Sequence, residues 1–244
     1  MKKLLLMLAI ASFSVAGMAQ NESETPALKH SVATNSFWSN WFIQANVSGT
    51  AFWGSQEEGM DLDNSPLKGF RNNLGFSVAL GKWFTPGLGL RTKLNGVWGR
   101  TVISDDQAEN ANKYWTLSEQ VLFNVSNMIC GYNENRVWNF IPYVGAGVSR
   151  NMSYNRYAMG VTAGLLNQFR LSNKLAVNLD LSYGVHEDQF DGCDIVGDTE
   201  FSKLHNQDRT LNVEVGLTYN LGKAKWNKTP DVDAIKALSQ NQID

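Results

Sequence analysis

Between residues 41 and 221 the chain repeats one pattern eight times: apolar side chains at every second position, opposed by small or polar ones, over runs of about ten residues. Successive side chains of a β-strand leave by opposite faces, so each run is a strand with one apolar and one polar face. Strands of soluble sheets usually have only about five or six residues. Runs of about ten suit a tilted crossing of a lipid bilayer.

The first run sets Trp41, Ile43, Ala45, Val47, Ala51 and Trp53 against Gln44, Asn46, Ser48 and Thr50. In the last two, Leu175, Val177, Leu179, Leu181 and Tyr183 oppose Asn178, Asp180, Ser182 and His186, while Leu211, Val213, Val215, Leu217, Tyr219 and Leu221 oppose Asn212, Glu214, Thr218 and Asn220. The other five lie within 73–81, 88–98, 118–126, 140–149 and 159–168. Thr85-Pro86-Gly87 is a turn signal between two of them, with Pro fixing one φ and Gly free to take a positive one.

Alternation alone fits two objects. A soluble barrel turns the apolar face inward; a membrane barrel turns it outward and fills its lumen from the polar face. The polar faces discriminate, because Arg91, Lys93, Asp180 and Glu214 alternate there with Gly and Ser, as a narrow interior that pairs its charges requires. A soluble exterior would carry more Lys and Glu, and charged residues make up only 18% of this chain. These four are the predicted lumen charge network. Lys93 and Asp180 each lie five residues beyond their strand starts, Leu88 and Leu175, which predicts that they pair.

Aromatic rings of a membrane barrel gather at the two interfaces. With the first strand running outward, Trp41, Trp83, Phe84, Trp138, Phe140 and Tyr219 fall at the inner rim, and Trp53, Trp98, Trp115 and Tyr157 at the outer rim. Links 54–72, 104–113 and 187–209 are long and polar, whereas 85–87 and 171–174 are tight, matching outer loops and inner turns. The short outer link at 154–156 and the long inner link at 127–138 break the rule. Glu119 is a misfit aimed at lipid, which predicts either a bulge or a place at the outer interface. Cys130 and Cys193 fall at opposite ends, too far apart for a disulfide.

Outside the strands, Lys2 and Lys3, the apolar run 4–15 and Gly17-Met18-Ala19 read as a secretory signal peptide, residues 1–19. Residues 20–38 are polar and aperiodic, a flexible leader; 39–222 is the barrel and 223–244 a periplasmic tail or linker with a helical stretch at 232–238. With 21 Lys+Arg against 23 Asp+Glu there is no basic bias toward nucleic acid. Neither Cys sits in a metal-binding pattern, and no cofactor motif occurs. Ser182, His186 and Glu187 lie near an outer rim, but Ser182 and His186 are about 13 Å apart along the strand, too far for a proton relay. No catalytic, cofactor or metal residues are therefore assigned.

The eight-strand pattern, the run NMICGYNENRVWNFIPY at 127–143 and the closing Tyr219-Asn220-Leu221-Gly222 resemble the N-terminal barrel domain of the outer-membrane protein A family, over residues 36–222. Members of that family continue into a domain that grips peptidoglycan; here a short tail follows Lys223, so tethering to the wall is not expected.

The sequence thus predicts an all-β, eight-stranded antiparallel up-and-down transmembrane β-barrel in the cell outer membrane. The expected role is structural or adhesive, supporting envelope integrity and surface interaction. A narrow low-conductance pore is the alternative, and a lipid-modifying barrel enzyme a more distant one. Expected partners are outer-membrane lipids, lipopolysaccharide and an extracellular ligand at the outer loops. Nothing in the sequence sets an oligomeric state.

Overall fold

The computed structural model describes residues 27–54, 72–100, 111–187, 190 and 207–241, with backbone alone at 72, 97–100 and 111–112. The signal peptide, the first part of the leader, Cys193, the Trp98 side chain and most of the three long links lie outside the described residues.

In chain order the elements are β1 (Ala27–Val32), β2 (Trp41–Trp53), β3 (Asn72–Trp83), β4 (Leu88–Arg100), β5 (Ala111–Phe123), α1 (Val125–Cys130), β6 (Trp138–Asn151), β7 (Arg156–Arg170), β8 (Leu175–Glu187), β9 (Gln207–Leu221), β10 (Lys228–Pro230) and α2 (Val232–Gln240). Strands β2 to β9 pair in sequence order, and β9 closes onto β2. Every pair is antiparallel, so the barrel is an up-and-down meander without a free edge. The expected strands all form, except that the fourth ends at Phe123 and its expected last residues, Val125 and Ser126, open α1.

Burial settles which face looks inward. Gln44, Asn46, Ser48 and Thr50 are buried, whereas Ile43 and Val47 beside them are exposed. Leu74, Phe76, Val78 and Leu80 stand outward on β3. Most buried residues are polar or charged and most exposed large ones are apolar, the reverse of a water-soluble domain. Such an exterior needs a hydrocarbon solvent.

The lumen is filled in layers. Phe42, Leu122, Ile141, Tyr143 and Leu166 pack across the inner end. Phe52, Tyr114, Ala158 and Phe190 pack across the outer end. Polar and charged side chains lie between. Some wall positions must be bare: a Cβ on Gly164 would run into the Tyr143 ring.

Three expectations need correction here. The leader is ordered from Ala27, because β1 pairs with β10 and Ala33 N donates to Asn227 O at 2.8 Å. Side-chain periodicity could not report this bridge, since β1 is solvated along most of its length and its partner lies near the other chain end. Trp83, placed in the inner girdle, turns into the lumen and packs against the inner cluster, with its ring 6.1 Å from Phe42. Strict alternation from outward Leu80 puts Lys82 outside and Trp83 inside. Lys82 is covered instead by the leader: Nζ donates to the carbonyls of Phe37 and Ser39 and lies over the rings of Phe37, Trp41 and Phe84.

Glu119 is the third. The β4/β5 ladder runs past it without a shift, pairing Thr92 with Glu119, so no bulge reorients it. It also lies nearer the inner end of β5, four residues from Phe123, not at the outer interface. Its carboxylate accepts a hydrogen bond from Thr92 Oγ1 at 2.6 Å on the lipid-facing surface.

Candidate functional site

The middle of the lumen carries a cluster of four buried charges. Arg91 and Lys93 leave β4 by the same face two residues apart, while Asp180 on β8 and Glu214 on β9 are register partners. Three strands lie between β4 and β8 in either direction around the barrel, so the two cations reach across to the two carboxylates. All four residues are at most 4% exposed.

Lys93 Nζ lies 2.6 Å from Glu214 Oε1 and 3.5 Å from Asp180 Oδ2. Arg91 Nη2 lies 3.1 Å from Asp180 Oδ2. The expected Lys93/Asp180 contact is therefore the longer one; Arg91 is the nearer partner of Asp180, and Glu214 of Lys93. Counting residues from strand starts ignores the stagger that closes a barrel, and that stagger decides which charges meet.

Neutral groups complete the cluster. Arg91 donates from Nε to Gln120 Oε1 and from Nη1 to Gln44 Oε1, each at 2.8 Å. Its guanidinium lies 4.6 Å from the centre of the Tyr143 ring, whose hydroxyl donates to Asp180 Oδ1 at 2.7 Å. Glu214 Oε2 accepts from Ser77 Oγ at 2.7 Å and Asn46 Nδ2 at 3.2 Å. Two cations balance two anions, and their donors and acceptors are matched. Buried charge is tolerable only under that condition. Gln44, Asn46 and Ser77 were legible as lumenal but not as members of the network; alternation marks their face and not their partners.

Outward of this network lies a small polar cavity of about 40 Å³, bordered by Lys93, Glu214, Thr50, Asn212, His186 and Phe190 among others. The His186 ring stacks on Phe190 at 4.4 Å, and its nitrogens lie 3.4 Å from Ser149 Oγ and 3.2 Å from Thr210 Oγ1. Ser182 instead accepts from Asn212 Nδ2 at 3.4 Å, and Glu187 takes the backbone N–H of Met159 at 2.8 Å. The three rim residues do not assemble into a relay.

Of the other girdle residues, Trp41 and Trp138 sit at the inner ends of β2 and β6, with their indole N–H groups donating to Phe37 O and Asn167 Oδ1. Tyr219 is exposed near the inner end of β9. Trp53 and Trp115 lie half-buried near the outer ends of β2 and β5. Among the described residues no group of His, Cys, Asp and Glu could hold a metal ion.

No protein-family model matches the chain. It is similar to outer membrane protein 40 of Porphyromonas gingivalis, 26% identical over 199 residues that make up 72% of this chain and 50% of that protein. Outer membrane protein 41 of the same organism is 22% identical over 187 residues, 71% of this chain and 46% of that protein. The chain spans about half the length of the curated relatives it matches. Among solved structures, Neisserial surface protein A aligns with a TM-score of 0.45 and 9% identity, covering 74% of this chain and 97% of that one. Ail, the attachment invasion locus protein of Yersinia pestis, aligns with a TM-score of 0.43 and 14% identity, with the same coverage. The chain is an outer-membrane β-barrel protein.

Proposed function

We propose that this chain is a structural barrel of the outer-membrane protein A type, closed to ions, that supports the envelope and offers its outer links for surface contacts. The observation that carries the reading is the filled lumen. Eight strands leave room only for their own side chains, and here the Arg91, Lys93, Asp180 and Glu214 cluster crosses the lumen between two apolar layers. Outer-membrane lipids and lipopolysaccharide are its surroundings, since exposed Leu, Val and Phe line the outward face. No enzymatic role is proposed, because Ser182, His186 and Glu187 are each held by a different partner.

Purified full-length protein in planar bilayers tests this: the expected trace has at most rare, small openings. Steady conductance would favour the narrow-pore reading, to which the polar cavity outward of the network lends its one support. Lipid A incubated with the protein should stay chemically unchanged. Acyl release lost in Ser182→Ala would favour an enzyme instead.

A further inference from the structure

The inner mouth of the barrel holds a larger cavity, about 120 Å³, unrelated to the lumen network. Its floor is the barrel rim with Asn40 and Trp83; its walls are the link after α1, with Tyr132 and Arg136, and the returning segment with Lys225 and Trp226. That segment is docked: Trp226 N donates to Tyr132 O–H at 3.1 Å, and Lys225 Nζ lies 3.0 Å from Glu134 Oε2.

Three of the residues lining this space each carry a buried polar atom with no hydrogen-bond partner among the described residues: Asn40 Oδ1, Asn127 Oδ1 and Arg136 Nη1. Leaving such atoms unmatched costs about 1–3 kcal/mol each, so they require explanation. Each is fixed from behind. Asn40, only 5% exposed, sits at φ 64, with its backbone N–H donating to Lys223 O and its carbonyl accepting from Trp83 N. Asn127 Nδ2 donates to Pro86 O at 2.9 Å, leaving its oxygen free. Arg136 Nη2 donates to Gly131 O at 2.8 Å, leaving Nη1 free. Among the described residues no carboxylate is paired with Arg136: Glu134, the acid of the cavity wall, is taken by Lys225. Burial pulls the Arg136 guanidinium below its ordinary value, as expected of a partly desolvated cation.

We infer that this mouth is a binding site for a saccharide unit bearing a carboxylate. The anion would pair with Arg136 Nη1, ring hydroxyls would donate to Asn40 Oδ1 and Asn127 Oδ1, and the ring body would lie among Trp83, Tyr132 and Trp226. A water needs about 10–15 Å³ of such space, so 120 Å³ accommodates one sugar ring. Side-chain amides, which both donate and accept, suit hydroxyl groups; Asn124, Asn139 and Asn220 add more of them to the lining.

Calorimetric titration of the full chain in detergent micelles with glucuronic acid, glucose, acetate and glycine tests the site. Saturable binding of glucuronic acid is expected, with glucose and acetate each at least about tenfold weaker, a difference of about 1.4 kcal/mol. Arg136→Gln should weaken glucuronic acid by about tenfold or more. Asn40→Gly, which keeps the left-handed backbone accessible, should do the same. Both variants must keep the β-rich circular dichroism of the folded barrel. Acetate binding as well as glucuronic acid would reduce the site to an anion hole. Glycine binding best would make it a zwitterion site, and an absence of saturable binding, or unchanged affinity in both variants, would overturn the inference outright. None of these readouts depends on whether the lumen conducts.

Discussion

Asp180 and Glu214 are direct register partners on β8 and β9, two carboxylates side by side on one wall of the lumen. Like charges at paired positions destabilise a sheet. Here each is met from the opposite wall, Asp180 by Arg91 and Glu214 by Lys93, so removing one cation leaves an unbalanced anion pair as well as a lost contact.

Lys93→Met should therefore destabilise the folded barrel by about 3–5 kcal/mol. Adding Glu214→Gln should restore more of that loss than adding Asp180→Asn, since the contacts measure 2.6 Å and 3.5 Å. Urea unfolding in lipid vesicles, arranged as two double-mutant cycles, measures both. Greater recovery with Asp180→Asn would reverse the assignment of partners.

Gly164→Val should cost about 1–3 kcal/mol by overpacking, because the new side chain displaces the Tyr143 ring and with it the hydroxyl bonded to Asp180. Gly49→Ala is the control. Its Cβ would meet nothing closer than Val213 O at 3.9 Å, and the unfolding midpoint should hardly move.

Glu119→Leu should stabilise the barrel in bilayers by about 1 kcal/mol, because a carboxylate facing hydrocarbon is unfavourable. The double change with Thr92→Val should do at least as well, since it removes the hydroxyl left without its acceptor. A destabilised Glu119→Leu would mean that another molecule contacts this carboxylate.

Cys130, exposed on the inner link, should resist an impermeant maleimide in intact cells and react once the outer membrane is opened. Cys193, by the same orientation, should react in intact cells. The opposite pattern would invert the barrel and place the cavity near Asn40 outside.

Lys82→Met should leave the barrel folded but release the leader, since Nζ holds the carbonyls of Phe37 and Ser39. Faster proteolysis after Lys29, with an unchanged unfolding midpoint, is the expected result. Equal cleavage rates would assign the anchoring to the β1/β10 bridge alone.

Much of this was legible in the order of residues. Local alternation sets the number of strands and the face of each side chain, because the two-residue period of extended backbone is a property of neighbouring residues. Together with the composition of the polar faces it places Arg91, Lys93, Asp180 and Glu214 inward, and applied strictly it would also have placed Trp83 there and Lys82 outside. The girdle argument failed at Trp83 by grouping rings at a rim without asking which way each one faced.

What alternation cannot contain is the relation between distant strands. Whether Lys93 meets Asp180 or Glu214 depends on the stagger with which β9 closes onto β2, a property of the whole ring. The bridge between β1 and β10, and the inner mouth around Asn40, Arg136 and Trp226, join segments far apart in the chain through backbone groups and unpaired amides. Backbone groups are nearly alike at every residue, so those contacts leave no periodic trace in the sequence, and only the closed tertiary structure decides them.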